Sequence, residues 1–183
     1  MDYDYKEYIE SLAAGSESVE FYNSGPEHAA IVLSTIFKTA RRCVKVYCAN
    51  MLSEAVSNSE DYRKAVDEFL ERFTVVDNQN PPLQIIFSNP IKDAFRRTPI
   101  YEVLYKHRNK IQIKSINAGV ENIRYKGIPA HFTCADDRMY RLETDIVNKK
   151  AFGNFNDTQG AMVVTNAFDW WWNDADRTVD FAW

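Results

Sequence analysis

The residues of this chain that could carry chemistry are concentrated between His131 and Asp157. His131 lies on a predicted strand, where an imidazole is either a hydrogen-bonded structural group or a nucleophile. Glu143 directly follows the next predicted strand, Met139 to Leu142, and can either orient that imidazole or form a cross-strand ion pair with Arg141. Arg138 and Arg141 either contact a phosphate or are solvated on a hairpin. The segment therefore offers an imidazole, a carboxylate and two guanidinium groups for one site, with a structural alternative for each.

The same segment ends in Gly153-Asn154-Phe155-Asn156, a turn between a predicted strand and the last predicted helix. A histidine on a strand, a hairpin and this turn, placed after an alternating α/β half, resemble the phospholipase D-like superfamily and its single-copy bacterial members. The motif of that family is His-x-Lys, then an Asp, then Gly-Ser-x-Asn at a strand-to-helix turn. The resemblance extends in topology over roughly residues 25–175.

The resemblance implies phosphodiester chemistry, with a histidine attacking phosphorus and a second histidine resolving the phosphohistidine across a twofold axis. Such a transition state spreads negative charge, which lysine and asparagine donors stabilise. Carried over to this chain, the resemblance implies His131 and Asn156 as catalytic residues, and Glu143 is added to them as the carboxylate able to orient the imidazole. At the motif positions it implies Thr133, Gly153 and Asn154 as ligand-binding residues, and Arg138 and Arg141 are added as the nearby cations. One motif copy per chain implies a homodimer, and we expect neither a metal nor a cofactor.

The motif departs from the family's pattern at several positions. Thr133 stands where the motif has lysine, and Asn154 replaces its serine. Asp136 and Asp137 come earlier than the motif's aspartate, and the longer interval from His131 to the glycine is consistent with an enlarged hairpin. Loss of one preorganised charged donor costs about 10²–10³ in rate. Because the motif's lysine is missing, a bound phosphate would need positive charge from other side chains. The candidates are Arg138, Arg141 and a basic segment in the middle of the chain.

Two functions from different classes follow. The first is a phospholipase D-like domain with a degraded motif, working as a dimeric binding or regulatory module for a phosphodiester ligand or a partner protein. The alternative is an active nuclease-type phosphodiesterase that uses His131 across a homodimer. A third possibility is an unrelated α/β domain, and a structure without a mixed sheet carrying His131 at its rim would establish it.

The elements that must position these residues alternate between helix and strand over the first two thirds of the chain. Helix starts are predicted at Pro26, Ser59 and Thr98-Pro99, where a proline or a side-chain cap suits the first turn. This alternation predicts an α/β fold with a mixed, largely parallel central sheet flanked by helices on both faces. Asp136-Asp137 predicts a hairpin turn. We expect one domain over residues 1–183, with an acidic helix at 1–15 and an aromatic helix and tail at 157–183.

The final helix is predicted to begin near Asp157 and to bury Met162, Thr165, Phe168 and Trp172. A helix cannot bury three consecutive indoles on one face, so at least one of Trp170-Trp171-Trp172 should point away from the core. An outward tryptophan suits a protein interface, a base-stacking platform or plain packing of the tail. Acidic neighbours argue against nucleic acid at this position, so we favour a protein interface.

Charge and composition narrow the class of protein. The 183 residues carry a net charge of −4, which gives no generic attraction to nucleic acid or anionic membranes. Residues 92–126 are nevertheless basic, with nine Lys or Arg against three acids. They either focus a phosphate-bearing ligand such as nucleic acid or form solvated faces, and the second reading is the default. No apolar run is long enough for a membrane helix, and three cysteines without a CxxC pair predict a reducing cytoplasm.

Overall fold

A computed structural model describes residues 3–49, 51, 53–74, 80–89 and 93–183. Met1 and Asp2 of the predicted acidic helix and Lys92 of the basic segment lie outside these residues. The helices are α1 (Tyr3–Ala14), α2 (Pro26–Thr39), α3 (Glu54–Ser57), α4 (Glu60–Glu71), α5 (Pro99–Lys106) and α6 (Thr158–Trp172). The strands are β1 (Phe21–Asn23), β2 (Val44–Cys48), β3 (Leu83–Phe87), β4 (Ile111–Ile116), β5 (Arg124–Tyr125), β6 (Ile128–Pro129), β7 (His131–Ala135), β8 (Met139–Asp145), β9 (Lys150–Asn154) and β10 (Thr178–Asp180).

Eight strands form one mixed sheet in the order β1-β9-β8-β7-β2-β3-β4-β10. The predicted mixed α/β fold is therefore confirmed. Parallel pairing joins β2 to β3 and β3 to β4, and the other neighbouring strands of this sheet pair antiparallel. The parallel share is smaller than the sequence suggested, because the last third of the chain contributes a three-stranded antiparallel meander and the two edge strands are added antiparallel.

Helices cover both faces of the sheet, as the hydrophobic patterns require. Side chains of α1, α2, α4 and α5 pack in one core with Val44, Val46 and Ile85, whereas α6 packs on the opposite face against Phe132 and Cys134. The starts of the helices follow the predicted signals. Pro26 begins α2, while the Ser59 and Thr98 hydroxyls accept hydrogen bonds from backbone N–H groups of α4 and α5. Among the described helices, none combines the length and apolarity needed to cross a bilayer.

The hairpin between β7 and β8 turns at Asp136 and Asp137, as predicted. Both residues have φ in the left-handed region, at 54° and 58°, as the central residues of a primed turn require, and Arg138 completes the three-residue connection between Ala135 and Met139. The Asp136 carboxylate also accepts the backbone N–H groups of Arg41, Arg42 and Cys43. The tip of this hairpin is thereby fastened to the connection from α2 to β2.

The register of α6 differs from the prediction. Asp157 caps the helix through Gln159 and Gly160 N–H, as its position suggested. Met162, however, is 56% exposed, and Ala161 and Val164 are buried instead. The apolar side chains at 161–164 fit two helical faces, and contact with the sheet selects the face that continues through Phe168 and Trp172. Trp170 points outward with 60% exposure, which confirms that one of the three indoles leaves the core.

Replacing Gly153 with alanine tests how closely β9 packs. An added Cβ would lie 2.2 Å from the carbonyl oxygen of Tyr140 and 2.7 Å from the ring of Phe21. We expect Gly153→Ala to lower the free energy of unfolding by about 1–3 kcal/mol, measured by urea denaturation. Gly15→Ala is the control, since its Cβ would meet nothing closer than 3.5 Å. Equal stability of the two variants would contradict the close packing.

Candidate active site

The candidate site is built on facing positions of β7 and β8. His131 is in register with Glu143, and Thr133 is in register with Arg141. Residues two apart on a strand share a face, so the four side chains point to the same side of the sheet. His131 Nδ1 lies 3.4 Å from one Glu143 carboxylate oxygen, and Arg141 donates to the other oxygen at 2.8 Å. The two contacts predicted as alternatives for Glu143 are thus both present, but Arg141 and Glu143 pair along one strand, β8, and not across strands.

The Arg141–Glu143 ion pair is buried, and a residue of the edge strand β1 holds Arg141 in place. Arg141 is 3% exposed and Glu143 is 5% exposed. The Nε of Arg141 donates to Asn23 Oδ1 at 2.8 Å, and the Asn23 amide donates to the carbonyl of Lys149. Asn23 belongs to β1, and Lys149 lies in the turn between β8 and β9. Four segments of the chain therefore meet around the Arg141–Glu143 pair.

Sequence reasoning did not identify Lys149 as a site residue. Its Nζ lies 3.7 Å from Glu143 Oε1 and donates to the carbonyl of Ile146. The residue adopts φ of 58°, and Arg141 and Asn23 both donate to its carbonyl oxygen. The network thereby fixes the backbone of Lys149 beside the site. The signal in the sequence was weak, since Lys149 is one of two adjacent lysines in a turn.

These groups line a cavity of about 110 Å³ on the α2 side of the sheet. Its polar lining comes from His131, Thr133, Arg141, Glu143 and Lys149, and its apolar lining comes from β2, α2 and the segment that follows β2. Drug-sized ligands occupy pockets of about 300–1,000 Å³. The cavity therefore admits a group of a few heavy atoms and excludes a whole nucleotide.

The electrostatics of the cavity depend on Glu143. Burial by itself raises the pKa of this carboxyl, but the hydrogen bond from His131 and the positive charge of Arg141 outweigh it, so the pKa lies below its ordinary value. Glu143 is consequently an anion at neutral pH. In a neutral imidazole, a carboxylate opposite Nδ1 favours the tautomer that carries its proton on Nδ1.

Two further side chains of β2 beside the site are held in their neutral forms, Tyr47 on the face that packs against α6 and Cys48 on the cavity side. Burial raises the pKa of the Tyr47 hydroxyl to about 12, and that hydroxyl accepts the N–H of Ile123. The Tyr47 ring stands edge-on to the ring of His131, with centroids 6.1 Å apart. Burial also raises the pKa of the Cys48 thiol to about 12. A thiol that stays protonated at neutral pH is a poor nucleophile, so Cys48 lines the cavity as an apolar group.

The structure does not bring Asn156 to His131. Ala151 stands opposite Glu143, and Asn154 lies three residues, or about 10 Å, further along β9. Asn156 follows beyond the end of the strand, where its amide donates to the carbonyls of Gly15 and Glu17. The reason is the extra strand. The enlarged hairpin contains β9, which reverses the chain once more and carries the turn to the opposite end of the sheet.

The other three predicted ligand residues have structural contacts at that same end. Arg138 donates to the Asn156 side chain and to the carbonyl of Phe155. Asn154 donates to Ser18 Oγ and accepts the N–H of Asn156. Gly153 stands opposite Arg141, where its missing side chain makes room for Phe21. These residues fasten β9 and the segment between α1 and β1, and none of them lines the cavity.

The basic segment supplies no cation to the cavity within its described residues, 93–126. The basic side chains of this segment contact neighbouring aromatic rings and backbone carbonyls. Arg96 and Arg108 stack on aromatic rings of Phe181 and Tyr105. Backbone carbonyls accept hydrogen bonds from Lys110, Lys114 and Arg124.

A second polar cluster joins α4 to the end of α5. Asp67, Glu71 and His107 place ligand-type atoms within 4.8 Å of one another. Lys106 Nζ lies 2.8 Å from Asp67 and 3.0 Å from Glu71, and His107 Nε2 lies 2.6 Å from Asp67. The ammonium already provides the positive charge that the carboxylates require. We therefore assign this cluster to the attachment of α5 on α4.

No family model matches the sequence, and a search of curated proteins gives no match. Solved structures do match. A phospholipase D family member, Nuc from Salmonella typhimurium, is 12% identical with a TM-score of 0.57 over 91% of this chain and 100% of Nuc. NucT from Helicobacter pylori is 15% identical with a TM-score of 0.57 over 90% and 100%. The archaeal chromatin protein TrmBL2, whose structure shows a mode of DNA binding, is 12% identical with a TM-score of 0.53 over 91% of this chain and 58% of TrmBL2. These likenesses show that the chain has the phospholipase D fold.

Glu143→Gln tests the buried ion pair. Removing one partner of such a pair costs about 3–5 kcal/mol, so we expect a loss of this size in the free energy of unfolding at neutral pH. The folded pKa is lowered, so the stabilisation is complete above the ordinary value of 4.5 and is lost as the pH falls through the folded pKa. The difference between wild type and variant should therefore narrow below pH 4.5. A difference that stays constant across this range would contradict the assignment, and the exposed Glu102→Gln on α5 is the control.

Proposed function

We propose that residues 1–183 form one phospholipase D-fold domain that binds a phosphoester group in the cavity and does not hydrolyse it. The observation that carries this proposal is the buried network of Arg141, Glu143 and His131 beside Lys149. Buried ionic groups are costly unless they are compensated. Buried charged groups with shifted pKa values that line a concave site are candidates for a functional site.

Charge and size both favour a small anion. Arg141 and Lys149 against Glu143 leave one net positive charge in the cavity when His131 is neutral. The volume of about 110 Å³ accommodates a phosphoryl group and leaves the rest of the ligand outside. A phosphoester at the end or within the backbone of a larger molecule meets both conditions.

Binding is favoured over hydrolysis by what the cavity lacks. Thr133 offers a hydroxyl where the family's motif has a lysine, and Asn156 is fastened at the other end of the sheet. One His131 per chain leaves no second imidazole to protonate a leaving oxygen. We therefore interpret the motif as degraded and the domain as a dimeric binding or regulatory module.

Hydrolysis is the second candidate, and one observation favours it. Glu143 faces Nδ1 of His131, so Nε2 is left as the nitrogen able to attack phosphorus. A second copy of the chain would then have to supply the acid, with both His131 residues facing one another.

The proposed partners follow from the same features. We propose a homodimer, with nucleic acid as a candidate phosphoester ligand that the basic segment at residues 92–126 would contact. The thiols of Cys43, Cys48 and Cys134 are free, which supports a cytoplasmic location, where thiols stay reduced.

Lys149→Ala tests phosphoester binding, with Lys150→Ala as the matched control. Lys150 is the adjacent lysine, exposed and outside the cavity. A hydrogen bond to a charged group contributes about 1.5–3 kcal/mol, so we expect Lys149→Ala to weaken binding of dimethyl phosphate about tenfold or more. Isothermal titration calorimetry with dimethyl phosphate and with inorganic phosphate measures this. Equal affinities of the two variants, or no binding by wild type, would contradict the proposal.

Turnover of bis(4-nitrophenyl) phosphate separates the two candidate functions. We expect wild type and His131→Ala to release nitrophenolate at the same background rate, because the cavity lacks the second imidazole and the motif's lysine. Turnover by wild type that disappears in His131→Ala would instead establish hydrolysis. Circular dichroism of the variant confirms that it is folded.

A further inference from the structure

An open groove of about 590 Å³ adjoins the cavity. It lies between the start of α2, the start of α3 and the turn that joins β8 to β9, and it is lined by residues 24–26, 53, 55 and 147–150. Ser53 and Lys149 line both the groove and the cavity, so the two concave sites meet at these residues. A ligand with one group in the cavity therefore has a direct path into the groove.

The groove carries positive charge. The described residues that line it include Lys149 and Lys150 and no acidic residue. Asp145 stands opposite Lys150 in the ladder of β8 and β9, but its two carboxylate oxygens accept the backbone and side-chain N–H groups of Asn148. Within the described part of the chain, the exposed Lys150 forms no salt bridge. Its ammonium group is therefore available to an anionic ligand.

The groove is large enough for the part of a ligand that the cavity excludes. Ligands of drug size occupy pockets of about 300–1,000 Å³, a range that includes the volume of the groove but not that of the cavity. Ser53 adds a hydrogen-bonding group where the two sites meet, because its hydroxyl makes no capping hydrogen bond to α3. Size, charge and hydrogen bonding thus favour the same placement of a ligand, with a small anionic group inside and a second group in the groove.

We propose that the groove is a second phosphate-binding site, where Lys150 binds a phosphate that a short linker joins to the phosphate in the cavity. The inference rests on the proposed function and narrows its ligand class from a phosphoester to a molecule with two phosphate groups. A terminal phosphate ester carries about 1.5–2 negative charges at neutral pH. The cavity supplies one net positive charge, so a ligand with two phosphates needs the further charge of Lys150.

Lys150→Ala tests the second site, with Lys64→Ala as the matched control. Lys64 is an exposed lysine of α4 and lines neither the groove nor the cavity. Isothermal titration calorimetry compares propane-1,3-diyl bisphosphate with propyl phosphate, which has a linker of the same length and one phosphate. We expect wild type and Lys64→Ala to bind the bisphosphate about tenfold more tightly than propyl phosphate. Lys150→Ala should reduce this preference about threefold to tenfold, with its affinity for propyl phosphate unchanged.

Val147→Glu tests the same site by adding a negative charge to the groove, and Val163→Glu on α6 is its control. Both valines are exposed, at 83% and 63%, so neither substitution disturbs the core. Val147 lines the groove and not the cavity, whereas Val163 lines neither. Val147→Glu should weaken binding of the bisphosphate at least threefold more than binding of propyl phosphate, and Val163→Glu should weaken neither.

The outcomes separate this inference from the proposed function. Wild type that binds propyl phosphate and the bisphosphate with equal affinity overturns the second site and leaves the phosphoester cavity intact. Wild type that binds neither compound overturns both. A preference for the bisphosphate that Lys150→Ala retains in full also overturns the inference, because the second phosphate would then lie outside the groove.

Thymidine 3′,5′-bisphosphate distinguishes two sources of such a ligand, the phosphorylated end of a nucleic acid strand and a small bisphosphate. Tighter binding than that of propane-1,3-diyl bisphosphate, with the loss in Lys150→Ala preserved, supports a nucleic acid end, because the nucleoside between the phosphates then adds contacts. Equal or weaker binding supports a small bisphosphate.

Discussion

A buried carboxylate governs the architecture of this half of the molecule. Glu143 can remain ionised at 5% exposure because Arg141 and His131 compensate its lost hydration. Arg141 is itself buried and needs further acceptors, which are Asn23 and the carbonyl of Lys149. Compensation of the Glu143 charge thus connects the strands β7 and β8, the edge strand β1 and the turn between β8 and β9. The cavity and the edge of the sheet are consequences of the same requirement.

Local signals were sufficient for much of the fold. Pro26, Ser59, Thr98-Pro99 and Asp157 each act within one helical turn, so the sequence alone locates those helix starts. The hairpin at Asp136-Asp137 is equally local, because the turn depends on two backbone conformations. The resemblance to the phospholipase D-like superfamily, drawn from the order of these elements, agrees with the fold that the solved structures share.

The sequence-based predictions that were wrong depended on the path of the chain between local elements. The interval from His131 to Gly153 left room for one strand or for two, and β9 decides which end of the sheet receives Asn156. Lys149 lies beside the site because Asn23 on β1 and Arg141 on β8 donate hydrogen bonds to its carbonyl oxygen. No local sequence pattern reveals these contacts. Met162 was assigned to the wrong side of α6 because the apolar run at 161–164 fits two faces. Tertiary contacts made each of these choices.

The antiparallel ladder between β1 and β9 bears on how the protein is made. Asn23 and its ladder partner Ala151 are separated by 128 residues, and a ribosome that adds about 5–20 residues per second needs roughly 6–26 s to cover that interval. During this time the early strand has emerged and its partner has not. A three-residue strand with a single outward tyrosine, Tyr22, offers little template for pairing with a neighbouring nascent chain. The brevity of β1 thus protects the polypeptide until β9, the strand that pairs with it, has been synthesised.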